Sequence, residues 1–443
     1  MGRREDVLKT FDAQRDFLDA RVKSGIELYR KGDAVLNIQT ADGSALPEDI
    51  TVEVKQASHK FKFGANLFML DECESAEKNQ IYREKFPEFL NLATLPFYWI
   101  DLEPEEGKPR YAKDSPRVYR RPAPDLGIEY CLEKGIEPKL HCLNYDAFTP
   151  MWLREASVPE IKAKLIKRFA EISERYADKI PMIEVTNETF CQNGKSAFFL
   201  EEDIVEWSFR EAEKHFPANE LIINEAGNLW TCPNGETSRN HYYMQVKSLL
   251  AQQIPVDGIG FQYHSFIRRE SEAGLAGERR QYNPMYMCAV MDLFERLNLP
   301  LQITEMTIPA YSWEAEDEAI QAEILEKVYS MFFAQRGMEA IIYWNVPDGY
   351  AYRAEPGDMT AGENYYHGGL LRFDMSEKPA WKVLRRLINE EWHTEAALAV
   401  KDGKASFRGF FGDYDIVVHA GGKAIPAKIK LEKGLPLVKT ITI

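Results

Sequence analysis

Two glutamates end short runs rich in β-branched residues, and together they could act on a single bond. Glu188 closes the run 183–188 and Glu305 closes the run 301–305, and both runs have the composition of buried strands. A buried, ionised carboxylate is normally either part of an ion pair or part of a functional site. Each glutamate taken alone could therefore be a structural residue that forms a salt bridge. As a pair they match glycosidic bond hydrolysis, in which one carboxyl protonates the leaving oxygen and the other attacks the anomeric carbon.

From residue 61 onward the sequence predicts a repeating order of strand, loop and helix. This order can bring the ends of strands that are distant in the chain close together. Helical patterns such as 158–177 and 315–335 separate the candidate strands. Eight strands separated by helices predict an α/β fold, a (β/α)8 TIM barrel, rather than an open sheet. The candidate strands are 61–66, 91–98, 137–143, 181–187, 220–224, 256–262, 300–304 and 340–344.

The sequence patterns at the two ends of the chain differ from those of the barrel and suggest a small second structural unit. We predict an N-terminal region at 1–58, the barrel at 59–393 and a C-terminal β module at 394–443. The N-terminal region begins with a polar helix over 1–30 and continues with strands at 34–38 and 50–54, around a turn at Asp42-Gly43. Because the last segment is too short to bury much alone, we expect it to form one β-sandwich with these two strands. Its aromatics fall within one short stretch without Trp, which favours a scaffold over a glycan-binding module.

In a (β/α)8 barrel, chemistry gathers at the C-terminal ends of the strands. Taken singly, His141, His264 and Trp344 are more often core residues than ligands. Asn187 is harder to dismiss because a strand interior disfavours Asn, and its amide could bind a substrate hydroxyl. His264 could donate to Glu305 and hold it ionised while Glu188 stays protonated. The polar and aromatic residues at these strand ends are His141, Asp146, Asn187, Glu188, Asn224, Glu225, Gln262, His264, Glu305, Trp344 and Asn345.

Composition excludes several classes of partner. The net charge of -15 argues against nucleic acid and anionic membranes, because both require a basic surface. The histidines show no HxH or HExxH spacing and the six cysteines form no CxxC pair, so we expect no metal and no organic cofactor. The charged N-terminus and the scattered cysteines predict a cytoplasmic protein, or a secreted one if a leader has been removed. No pattern indicates the oligomeric state.

Ordered segments covering about residues 60–392 resemble family-10 glycoside hydrolases, the retaining endo-xylanases of the strand-4/strand-7 barrel superfamily. The resemblance implies that Glu188 is the acid/base, Glu305 the nucleophile, and a carbohydrate the partner. It also implies that His141, Asn187, Gln262, His264 and Trp344 surround the sugar at subsite -1. The matching segments are 61–66 (FKFGAN), Trp99 with 103–107 (EPEEG), His141 with 149–153 (TPMWL), 186–188 (TNE), 258–264 (GIGFQYH), 303–306 (ITEM) and 369–380.

The same comparison shows departures on the glycone side of the cleft. The family's E-N-x-M-K-W run is replaced by residues 94–99 (TLPFYW), so Leu95 and Tyr98 stand where an Asn and a Lys hold sugars. A Trp-His pair becomes Tyr145-Asp146, and a Trp-Gly pair becomes Trp344-Asn345. We therefore expect Tyr98, Asp146 and Asn345 among the substrate contacts, and a xylanase-like β-glycosidase with altered glycone specificity for plant-derived oligo- or polysaccharides. The alternative is a catalytically silent carbohydrate-binding barrel.

Overall fold

A closed barrel of eight parallel strands forms the centre of the computed structural model, which describes residues 2–191, 194–226, 230, 234–275 and 280–443. Pairing of the last barrel strand with the first closes the ring, and nearly every strand residue is buried on both faces. The predicted (β/α)8 barrel is confirmed. Its strands are β3 (Lys62–Asn66), β4 (Leu92–Pro96), β5 (Glu137–His141), β6 (Met182–Asn187), β7 (Glu220–Glu225), β8 (Gly258–His264), β9 (Leu301–Thr307) and β10 (Met338–Tyr343).

Helices surround the barrel and present one apolar stripe to it. In the helix over 158–176, Ile161, Leu165, Phe169 and Ile172 are buried at helical spacing while the opposite face is polar. The last helix, which begins at Pro379, is α-helical to Arg386 and continues as a π-helical turn over 387–391. The helices are α3 (Ala76–Lys85), α4 (Trp99–Leu102), α5 (Pro124–Lys134), α6 (Val158–Tyr176), α7 (Ile204–His215), α8 (His241–Ala251), α9 (Arg269–Leu275), α10 (Pro284–Phe294), α11 (Ala315–Phe333) and α12 (Pro379–Arg386). Within the described ranges, none is both long and apolar enough to cross a bilayer.

The N-terminal segment packs against the outside of the barrel. The single helix predicted over 1–30 is two helices, α1 (Arg3–Ala13) and α2 (Arg15–Tyr29), because the chain leaves helical geometry at Gln14. Arg30, directly after α2, donates to the backbone carbonyls of Phe333 and Gln335 at the end of α11. These contacts hold the N-terminal helices to the barrel. Of the six cysteines, the five in the described residues are free thiols, and Cys232 lies outside those residues.

A small β-sandwich is built from both chain ends, as expected. One sheet has the order β12–β1–β15 and the other β11–β2–β13–β14, so each sheet contains one N-terminal strand. The two N-terminal strands were expected to flank one turn; they lie in different sheets because each finds its partners in the C-terminal segment. The strands are β1 (Lys31–Gln39), β2 (Thr51–Gln56), β11 (Glu395–Ala399), β12 (Lys404–Phe410), β13 (Gly412–Ala420), β14 (Lys423–Leu431) and β15 (Leu437–Thr442). Their inward residues form a second hydrophobic core.

Candidate active site

Glu188 and Glu305 face each other across the C-terminal mouth of the barrel. Glu188 follows β6 with a left-handed backbone (φ 53°), and Glu305 lies within β9 and is 4% exposed. The side-chain nitrogen of Gln262, on β8, donates to Glu188 Oε1 at 2.9 Å and to Glu305 Oε1 at 3.0 Å. Since both oxygens bond one nitrogen, they are at most about 6 Å apart, which fits a retaining pair of carboxyls better than an inverting one.

Glu305 is held from both of its oxygens. His264 Nε2 bonds Oε2 at 3.1 Å, while its Nδ1 bonds the Thr307 hydroxyl at 2.9 Å, so the imidazole is fixed at both nitrogens. Asn224 Nδ2 donates to Oε1 at 3.1 Å. These contacts fix the direction of the carboxylate, as a nucleophile requires. The predicted contact between His264 and Glu305 is present.

Asn187 is oriented by its neighbours so that its amide nitrogen remains a donor. Its Oδ1 accepts from Asn224 Nδ2 at 2.8 Å and from Gln262 Nε2 at 3.3 Å. Asn224 is itself oriented because its Oδ1 accepts from the Thr304 hydroxyl. Gly260 leaves room for this arrangement, since a Cβ there would lie 2.7 Å from Asn224 Oδ1. Asn187 Nδ2 can therefore serve a sugar hydroxyl.

Glu225 anchors the chain directly after Glu188. Its carboxylate accepts from the Thr189 backbone N–H at 3.0 Å, the Thr189 hydroxyl at 2.5 Å and the Phe190 N–H at 3.4 Å. Burial raises the pKa of Glu225 to about 7, although these hydrogen bonds oppose the shift. The sequence marked Glu225 as a strand-end residue without assigning it a role. In the structure, Glu225 holds the backbone directly after Glu188.

Tyr145 donates a hydrogen bond to Glu188 Oε2 at 2.5 Å. With Gln262 on Oε1, both oxygens of Glu188 have a donor. Sequence reasoning noted Tyr145 only as a replacement for a family Trp. Its role could have been suspected, because a phenol brings a donor that an aliphatic or phenyl ring lacks.

Beneath the two glutamates, Lys139, Glu184 and His141 form a buried network of ion pairs. His141 Nδ1 contacts Glu184, whose other oxygen lies 2.6 Å from Lys139 Nζ, and all three side chains are buried. Burial opposes charge on Glu184, but Lys139 and His141 outweigh it and lower its pKa to about 2. Burial likewise opposes the proton on His141, but Glu184 outweighs it and raises the pKa. His141 Nε2 bonds the Tyr98 hydroxyl at 2.9 Å, so this predicted residue reaches the site through His141.

Trp344 forms an aromatic wall beside these residues. Its ring makes edge-on contacts with Phe68 (centroids 5.2 Å apart), His141 (5.6 Å) and His264 (5.8 Å). It is 6% exposed, so it borders the cleft while remaining packed. The predicted site residues His141, Asn187, Gln262, His264 and Trp344 thus surround the two glutamates.

Asp146 and Asn345 have protein partners in place of the substrate contacts expected for them. Asp146 accepts from the Lys195 and Ser196 N–H groups at 2.7 and 3.0 Å, so both of its oxygens fix a loop. Asn345 accepts from Arg120 at 2.8 Å and donates to Glu363 at 2.9 Å. We therefore leave both outside the proposed set of sugar ligands.

Arg120 and Arg121, which sequence reasoning missed, lie near Tyr98, on the side of the cleft that the family resemblance assigns to the glycone. The guanidinium of Arg121 lies 4.4 Å from the centroid of the Tyr98 ring and 5.1 Å from that of Tyr352. The Tyr98 ring also stacks on Phe148, with centroids 4.1 Å apart. This side of the cleft is consequently an aromatic and cationic wall.

Comparison with known proteins identifies related chains. The sequence model of Glycosyl hydrolase family 10 matches residues 97–386, more than half of the chain. Anti-sigma-I factor RsgI6 of Acetivibrio thermocellus is 25% identical over 396 residues, covering 88% of this chain and 45% of that protein. Endo-1,4-beta-xylanase B of Thermotoga neapolitana is 23% identical over 344 residues, covering 75% of this chain and 88% of that protein.

Solved structures share the fold. Native xylanase 10B from Thermotoga maritima superimposes with a TM-score of 0.58 at 20% identity, covering 75% of this chain and 96% of that one. At this identity the likeness concerns the barrel fold alone. The chain spans less than half the length of RsgI6.

Proposed function

The chain belongs to glycosyl hydrolase family 10, and from this premise we propose that it is a retaining glycoside hydrolase acting on β-glycosidic bonds of plant-derived oligo- or polysaccharides. The observation that carries the proposal is the Gln262 amide shared by Glu188 and Glu305. One donor within reach of both carboxyls sets a short separation between them, and a short separation is what a double-displacement mechanism requires.

The proposed reaction has two steps. Glu305 attacks the anomeric carbon while Glu188 donates its proton to the leaving oxygen, which gives a glycosyl ester on Glu305. Glu188, now ionised, takes a proton from water, and that water attacks the anomeric carbon and frees Glu305. Asn187 Nδ2 donates to a sugar hydroxyl, an interaction that strengthens in the transition state.

We further propose that glycone specificity differs from that of xylanases. Tyr98, at the position of a family lysine, is 5% exposed, bonded to His141 and packed between Phe148 and Arg121, so a neutral packed ring stands where the family offers an ammonium. Such a wall favours a different or substituted sugar over plain xylose. Xylo-oligosaccharides remain the first candidates because the family is xylanolytic. Comparing products from xylohexaose and from branched hemicellulose oligomers tests this, and rapid internal cleavage of xylohexaose would contradict it.

The reaction itself is tested with aryl β-glycosides and proton NMR of the first product formed. We expect a β-configured product, no turnover by Glu305→Ala, and recovery of Glu188→Ala activity by azide with formation of a β-glycosyl azide. Glu220→Gln, at the opposite end of the barrel, is the matched control and should retain wild-type activity. An α-configured first product would exclude retention.

A second candidate is a barrel that binds carbohydrate without hydrolysing it. The likeness to RsgI6, whose name describes a regulator, covers more of this chain than the family match does. Both carboxyls and their hydrogen-bond partners are present here, which favours the enzyme. Glycan binding without hydrolysis of any substrate in the panel would favour the binding protein.

A further inference from the structure

Arg120 is a buried cation with unused hydrogen-bond donors. The residue is 2% exposed, and its Nη2 donates to Asn345 at 2.8 Å. Its Nε and Nη1 are enclosed and have no hydrogen-bond partner. Among the described residues, no carboxylate lies within ion-pair distance of its guanidinium; Glu363 acts on it only from farther away.

Such an arrangement is unfavourable in the free protein. Buried charges are normally paired, and buried N–H groups are normally bonded. The backbone of Arg120 is also left-handed (φ 60°), which is uncommon outside glycine. Neighbouring Arg121 is 4% exposed but has its carboxylate, Asp101, at 2.8 Å. Of these two arginines, Arg120 is the one without an ion-pair partner among the described residues.

Arg120 lies beside the glycone wall, by which we mean the side of the cleft formed by Tyr98, Phe148, Arg121 and Tyr352. Its bonding partner Asn345 directly follows Trp344, and its guanidinium is 5.7 Å from the centroid of Phe68, which packs on Trp344. The Arg121 guanidinium is 5.2 Å from the same ring. Two cations therefore flank one aromatic side chain at the edge of the sugar site.

Resting on the proposed function, we infer that Arg120 and Arg121 form a subsite for a carboxylate-bearing sugar, a uronic acid on the glycone side of the substrate. A planar carboxylate matches a guanidinium in shape and charge, and it would bond the donors that Arg120 leaves unused. Those nitrogens are enclosed in the free protein, and Asn345, which bonds the same guanidinium, belongs to segment 345–368; we therefore expect this segment to move when the group enters.

Binding is measured with Glu305→Gln, which cannot form the glycosyl ester. Its ligands are a neutral xylo-oligosaccharide, the same chain bearing glucuronic acid, and the methyl ester of that acid. By calorimetry we expect the acid to bind at least tenfold more tightly than the ester. In a second Glu305→Gln protein carrying Arg120→Gln, this preference should fall to within twofold while affinity for the neutral chain is unchanged. In the same background, Arg117→Gln removes an equal charge from a 61% exposed side chain nearby and should keep the preference.

Hydrogen exchange gives a readout independent of catalysis. Exchange in 345–368 should change with the acid and not with the ester. Equal affinity for acid and ester, or an acid preference that persists in Arg120→Gln, would overturn the inference. If Arg120→Gln fails to fold, the comparison of acid with ester decides alone. If the wild-type protein hydrolyses no glycan but binds the acid more tightly than the ester, the proposed function is refuted and the subsite is supported. If it hydrolyses glycans but shows no preference for the acid, the proposed function is supported and the subsite is refuted.

Discussion

Replacing His59 by phenylalanine probes the junction between the barrel and the β-sandwich. The imidazole is half-buried there, with Nε2 donating to the Ile388 carbonyl and Nδ1 accepting from the Gln56 amide. Its ring packs edge-on against Phe63 and Phe410. A second proton on Nδ1 would point at the Gln56 donor, so the fold accommodates only neutral His59.

The magnitude follows from the pKa. Burial lowers the pKa of His59 from 6.5 to about 4. Because the folded value lies below the unfolded one, this contribution to stability is complete above pH 6.5 and is lost as pH falls through 4. The loss is about 2 kcal/mol at pH 5 and about 3 kcal/mol at pH 4. His59→Phe cannot titrate but leaves the Ile388 carbonyl without its donor, which costs about 1–2 kcal/mol at every pH. Wild type should therefore be the more stable protein at pH 8, and the variant the more stable one below about pH 5.

Urea midpoints of the two proteins between pH 8 and pH 4.5, followed by tryptophan fluorescence, measure this crossing. Acid effects from groups distant from His59 are common to both proteins and cancel in the difference; the titratable neighbour is His393, whose ring centroid lies 6.5 Å from that of His59. His241→Gln, at an exposed histidine, is the control and should show no crossing. A stability difference between wild type and His59→Phe that is equal at pH 8 and pH 4.5 would show that the pKa of His59 is the same in the folded and unfolded protein, contrary to our reasoning.

Three further changes address the site and the module. Tyr145→Phe removes a donor from Glu188 and should lower kcat about tenfold with little change in KM, measured on an aryl glycoside. Glu225→Gln should lower kcat about tenfold and remove a titration near pH 7 from the pH profile of kcat/KM; a profile that keeps this titration would show that it belongs to another group. Deleting 395–443 leaves β1 and β2 without partners and should reduce solubility and the urea midpoint, while a selective loss of polysaccharide binding by an intact fold would contradict the scaffold role.

The barrel could be predicted because its strands are buried on both faces and read as apolar runs between helical patterns. The same pattern placed Glu188, Gln262 and Glu305 together, since the C-terminal ends of parallel strands meet at one mouth. The pairing of β1 and β2 could not be predicted in the same way. Alternation of exposed and buried residues is identical whichever sheet a strand joins, and the partners of both strands lie far away in the chain.

The contacts made by loop residues could not be predicted from local sequence patterns either, because their partners are distant in the chain. Asp146 is satisfied by Lys195 and Ser196, which come from the loop after the next barrel strand. Arg120 and Arg121 lie between β4 and α5, where two adjacent arginines before a proline look like any exposed loop. Only the folded chain shows that they are buried. The sequence of a loop does not show which side of the binding cleft its charged residues will contact.

The residues proposed for catalysis and those proposed for sugar specificity lie on different parts of this barrel. In the sequence comparison, Tyr98 stands where the family has a lysine that holds a sugar. In the fold, Arg121 brings a cation within 4.4 Å of the Tyr98 ring from another loop, so a charge is present but differently shaped and enclosed. Glu188, Gln262 and Glu305 lie on or directly beside barrel strands, where packing fixes them, whereas Arg120 and Arg121 lie on a loop. A loop can therefore rebuild the sugar-facing wall without moving Glu188 or Glu305, and substrate preference should respond to Arg120 while the reaction stays the same.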